Sequence, residues 1–176
     1  MAATISIALN FYRKDTEELQ RDLQTQEVDP GEVPFLLFGD VVFLRNGKEI
    51  MRLEDVEIPI FLITFADLLC EELDRCAPGP VGEIGPENTW VFNLYRLPGE
   101  KVVYQNCITD SCFIAGRSEL KRALAVAIEE TMHYIRSHFP DLAPRMKKED
   151  AAWFNFQYWL TRLRNEPTAG SDSASP

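Results

Sequence analysis

The sequence predicts an α+β fold: an antiparallel sheet built from two hairpins and an N-terminal strand, packed against three or four amphipathic helices. Three observations carry that expectation. Residues 4–12 alternate strictly, with Ile5, Ile7, Leu9 and Phe11 on one face, the period of two of a half-buried strand. Apolar runs are paired across short turn sequences, Asn46-Gly47 and Pro98-Gly99. Stretches with apolar residues at three-four spacing come after each pair, and hairpins mixed with helices argue against a regular parallel sheet.

After the first strand, Asp15-Thr16-Glu17-Glu18 offers a capping box, and Leu19 and Leu23 supply a thin apolar stripe for a short helix ended by Asp29-Pro30-Gly31. Phe35–Leu44 is an apolar run interrupted by Gly39-Asp40. Asn46-Gly47 then marks a tight turn, because both residues tolerate the positive φ of a type I′ hairpin. Ile50–Val56 is the returning strand. Pro59 suits the first turn of a helix running to Cys76, which Pro78-Gly79-Pro80 closes. Gly79, Gly82 and Gly85 recur every third residue, but the segment leads from a helix towards a strand and lacks lysine, so it is expected to be a linker and not a phosphate cradle.

Thr89–Leu97 and Lys101–Cys107 form the second hairpin, and Cys112–Ala115 adds a strand. Trp90, Phe92 and Leu94 share one face and Val91 and Tyr95 the other, as in a central strand covered on both sides or a dimer contact. Ser118 is placed to cap the next helix, with Glu119 in its first turn and a stripe of Leu120, Leu124, Ala127, Ile128 and Ile135 running towards Pro140. A last helix over Lys147–Leu163 puts Trp153, Phe156, Leu160 and Leu163 at three-four spacing. Residues 1–166 are read as one domain and 167–176, without an apolar anchor, as a disordered tail.

Composition narrows the function classes. The 176 residues carry 28 acids against 18 bases, a net charge of −10. A chain of this length buries roughly 70 % of its unfolded surface, so no metal or disulfide staple is required. The acidic excess lies wholly in the first half: residues 1–88 contain 18 acids and 7 bases. Such a surface repels phosphate backbones and anionic membranes, so neither nucleic acid nor membrane is an expected partner. The N-terminus has no basic region followed by a long apolar core, and Ile58–Ala66 is too short to span a bilayer, so a cytoplasmic location is expected.

Cys70, Cys76, Cys107 and Cys112 miss the tight C-x2-C spacing of structural zinc and are expected to be reduced, buried small hydrophobes. Glu129, Glu130 and His133 form a Glu-x-x-His half-site. A di-iron centre needs a second such helix, which two histidines, His133 and His138, cannot supply. No serine elbow accompanies Ser111, and no paired carboxylates stand out for hydrolysis. No metal, cofactor or catalytic residue is therefore assigned.

Two contact surfaces remain. Asp67, Glu71 and Asp74, at i, i+4 and i+7, form an acidic stripe on the helix that starts at Pro59, with a Glu71–Arg75 pair along it. The reading as a plain solvated face stands beside that of a docking face for a basic protein. The aromatic helix carries Phe154 and Tyr158 off its buried stripe, with Trp159 widening the apolar arc, where a hot spot would sit if core packing does not claim them. The expectation is a non-catalytic acidic protein that binds another protein, of the inhibitor or immunity (antidote) type that masks a basic partner. A small enzyme or ligand-binding domain with a pocket assembled from distant residues is the alternative. A homodimeric structural subunit is a third reading.

Overall fold

The computed structural model describes residues 4–75, 82–84, 92–140, 142 and 151–165. The elements run β1 (Ile5–Phe11), α1 (Arg13–Thr25), a 3-10 turn (Pro30–Phe35), β2 (Phe38–Arg45), β3 (Lys48–Glu57), α2 (Ile58–Asp67), a π turn (Leu68–Glu72), α3 (Leu73–Arg75), β4 (Gly82–Ile84), β5 (Phe92–Leu97), β6 (Lys101–Asn106), β7 (Cys112–Gly116), α4 (Arg117–His138) and α5 (Ala151–Asn165). Helices mixed with antiparallel strands make the chain α+β.

The strands form two sheets, not one. The first has order β1-β2-β3 and the second β4-β5-β6-β7, every neighbouring pair antiparallel. They meet through aromatic rings: Phe43 of β2 lies 4.8 Å from Tyr104 of β6 and 5.1 Å from Phe113 of β7, centroid to centroid. Phe61 and Phe65 of α2 close the same cluster against Phe92. Large rings bury much apolar area in few contacts, so this cluster joins α2 to both sheets. The segment expected to be a linker is also corrected: Gly82–Ile84 pairs with β5 as an edge strand, leaving β5 flanked on both sides. Three residues are too few to show a side-chain period in the sequence.

In the first sheet the period of two holds. Ile5 and Ile7 are buried, and opposite them Phe43 pairs with Ile7 and Met51 with Phe43 on the same inner face. The turn between β2 and β3 has φ of 52° at Asn46 and 77° at Gly47, as a primed hairpin turn requires. Gly39 sits where a Cβ would stand 2.2 Å from the carbonyl oxygen of Asn10, which explains a glycine inside an otherwise apolar strand.

Both helix caps expected from sequence are corrected. Helix α1 begins at Arg13 after Tyr12, and Thr16, expected in a capping box, instead donates to the Tyr12 carbonyl and meets the Tyr134 hydroxyl at 2.8 Å. Helix α4 begins at Arg117 without a side-chain cap from Ser118. Glu119 stands in the first turn of α4 as expected, and its carboxylate also accepts the Ile5 amide at 2.7 Å, tying β1 to α4. The expected stripe of α4 is buried throughout, as are Phe156, Leu160 and Leu163 of α5. The expected start of the last helix at Lys147, the side chain of Trp153, and the tail 167–176 lie outside the described residues, as does Cys76. Cys70 is buried, but Cys107 and Cys112 are exposed at the β6–β7 turn, against the expectation of buried thiols.

Candidate functional site

Helix α2 leads directly out of β3 and carries Pro59 at its start, where a missing amide costs nothing. The expected single helix to Cys76 is broken by the π turn at Leu68–Glu72, in which the Leu73 amide reaches back five residues to the Leu68 carbonyl. Next to it, the Leu69 carbonyl accepts from the guanidinium of Arg117 at 3.1 Å (Nε) and 2.9 Å (Nη2). Arg117 is only 9 % exposed. A charged donor is a strong partner for a carbonyl, so the bulge is supported from α4. Among the described ion pairs Arg75 is held by Glu72, where the sequence suggested Glu71.

Of the stripe, Asp67 and Glu71 are half-buried; the side chain of Asp74 lies outside the described residues. Burial raises the Asp67 carboxyl above its ordinary value, and the negative charges of Glu71 and Glu72 push it the same way. Glu71 points to α5. It accepts the Tyr158 hydroxyl at 2.7 Å, and the Arg162 guanidinium stands 3.8 Å away. The bond donated to Glu71 is the main cause that raises the Tyr158 phenol above its ordinary value. The acidic helix and the aromatic helix, 87 positions apart in sequence, thus form one face.

Trp159 does not belong to that face. It is 6 % exposed and part of the core, with its ring edge-on to Tyr158 at 4.7 Å. It supports Tyr158 from beneath, and the expectation of Trp159 as a contact residue is corrected to packing. Tyr158 is 39 % exposed. Phe154 lies on α5, and its side chain is outside the described residues.

Sequence reasoning missed a cleft of about 370 Å³ where α2, β3, β5 and the β6–β7 turn converge. The buried rings Phe61 and Phe92, 5.3 Å apart, form its floor, and Ile108, 57 % exposed, stands at its mouth. Glu54, Asp55 and Glu57 line one side. They are placed there by a β-bulge: between the pairs Gly39–Val56 and Val41–Leu53, Glu54 and Asp55 oppose the single residue Asp40. Asp55 has a φ of 54°. The Tyr12 hydroxyl pins the bulge, accepting the Asp55 amide at 3.1 Å and donating to Asp40 at 2.7 Å. Asp40 is held in turn by Arg52 at 2.8 Å.

A second, more open groove lies between β1 and α4, lined by Phe11, Tyr134 and His138 in a ring stack together with Glu129, Glu130, His133 and Ser137. Glu129 is paired with Arg164 of α5. Ser137 lies 3.5 Å from His133 Nε2, but its hydroxyl donates to the His133 carbonyl at 2.8 Å. A hydroxyl proton committed to a helix carbonyl is not presented to a base, so this pair is not built as a nucleophile. Among the described residues no group of three potential metal ligands occurs, and no helix is long and apolar enough to cross a membrane.

No protein-family model, curated protein or solved structure matches the chain.

Proposed function

We infer that this is a non-catalytic acidic binding protein that docks a basic protein partner, in the manner of a cytoplasmic inhibitor or antidote that masks a cationic surface. The observation that carries the reading is the hydrogen bond from Tyr158 to Glu71, which joins the acidic helix and the aromatic helix in one partly exposed patch. A tyrosine with an apolar body and a polar tip, set beside Glu71 and Asp67 with Arg162 3.8 Å from Glu71, has the composition of a hot spot for a polar, charged partner surface. The net charge of −10 supports it by drawing such a partner in over distances beyond contact. Half-buried Asp67 contributes too: a carboxylate already partly stripped of water loses less hydration when a partner covers it.

The test is comparative capture from the native host on immobilised protein and on an Asp67→Asn/Glu71→Gln variant, with the bound proteins identified by mass spectrometry. A basic protein retained by the parent and lost by the variant is the expected result. Retention of the same proteins by both would remove the patch from the binding surface.

A further inference from the structure

Helix α2 carries more than the acidic patch. Ile60, Thr64, Asp67 and Glu71 are all half-buried residues of α2 and the adjoining π turn, and Ile60 and Thr64 line the cleft while Asp67 and Glu71 form the patch. At spacings of four, three and four, the first three lie on one helix face, so the patch runs along α2 into the cleft. We propose that this cleft takes an apolar side chain of the basic partner's docking segment, flanked by that segment's lysine or arginine residues on Glu54, Asp55 and Glu57. The proposal deepens the reading of the acidic patch as a docking surface and rests on it.

Charge and shape both favour that occupant. Among the described residues that line the cleft three are acidic and none is basic, while its floor is aromatic. An apolar side chain suits the ring floor, and the cationic heads of flanking lysine or arginine residues suit the acidic lip. The mouth is built to be met by a surface. Asn106, 1 % exposed, accepts the Ile108 and Thr109 amides at 2.8 and 3.2 Å, and its own amide donates to Ser111 at 2.8 Å. That turn holds an isoleucine outward at 57 % exposure, beside an apolar floor. A large aliphatic side chain fixed in the open at the rim of an apolar hollow is the arrangement of an anchor site at an interface. At about 370 Å³ the cleft lies at the small end of the roughly 300–1,000 Å³ of pockets that enclose whole ligands, and suits a projecting side chain.

The test uses a 15N-labelled full chain and three probes: the peptide Ac-Arg-Leu-Arg-Leu-Arg-amide, the same peptide with glycine for leucine, and spermidine. The leucine peptide is expected to bind saturably and to shift the amides of Glu54–Glu57, Thr64 and Ile108. Ile108→Ser, a change at an exposed position, should weaken it at least tenfold, and the glycine peptide should bind at least tenfold more weakly than the leucine peptide. Shifts confined to Asp67 and Glu71, equal for both peptides, would overturn the cleft and leave the acidic patch standing. Absence of saturable binding at millimolar peptide would overturn it as well. Spermidine binding as tightly as the leucine peptide would make the cleft a small-amine site and end the docking proposal.

Discussion

Tyr104 shows how much a single buried atom can matter. Its ring stacks between Phe92 and Phe113, it is fully buried, and its hydroxyl has no hydrogen-bond partner among the described residues. Burial drives its phenol well above the ordinary value. A buried unsatisfied hydroxyl costs about 1–3 kcal/mol, so Tyr104→Phe is expected to stabilise the protein by about 1 kcal/mol in urea unfolding; a loss of stability would show the hydroxyl to be bonded. Asp67 gives a second residue-level expectation. Its carboxyl titrates higher in the fold than in the unfolded chain, so the folded state holds the proton more tightly between those two values. Stability therefore falls as pH rises from the ordinary carboxylate value through the raised one, and the charged form weakens the fold at neutral pH. Asp67→Asn should melt at or above the parent temperature at pH 7, and the difference should vanish below about pH 4. A lower melting temperature at pH 7 would mean that the charge is held by a partner. Neither behaviour was legible from sequence, because both depend on what surrounds the group.

At the scale of elements, local chemistry was readable and tertiary intervention was not. Asn46-Gly47 announced its hairpin because positive φ is a property of those residues, and the stripes of α4 and α5 announced their buried faces through spacing. The π turn had no such signature. Nothing in Leu68–Glu72 disfavours an α-helix; Arg117, 48 positions away, holds the Leu69 carbonyl in the bulged form. Arg117→Met should remove that support and lower stability by about 2 kcal/mol, a loss in the range of hydrogen bonds to charged groups. Arg122→Met, an exposed change on the same helix, should stay within about 0.5 kcal/mol of the parent. Equal effects from the two, in urea unfolding, would mean that the Arg117 contact does not hold the turn. The bulge at Glu54-Asp55 was hidden for the same reason, since Tyr12, at the start of α1, and Asp40 of β2 sustain it from outside β3. The cleft was hidden with it.

Over the whole molecule, α+β was legible from the mixture of periods, whereas the division into two sheets was not. Strand periodicity says which face is buried but not which edge pairs with which, and β4 is too short to show a period. Of the candidate site, Asp67, Glu71 and Tyr158 were legible in sequence, while Trp159 went to the core because an aromatic arc wider than one stripe was filled by packing. What sequence could not give was the meeting of Glu71 and Tyr158, on which the functional reading turns. The most direct test is the association rate of the captured basic partner, measured by stopped flow against ionic strength for the parent and for Asp67→Asn/Glu71→Gln. Docking on the acidic patch predicts a parent rate that falls steeply with added salt, and a slower variant rate with a shallower dependence. Identical rates and identical salt dependence for the two proteins would contradict it.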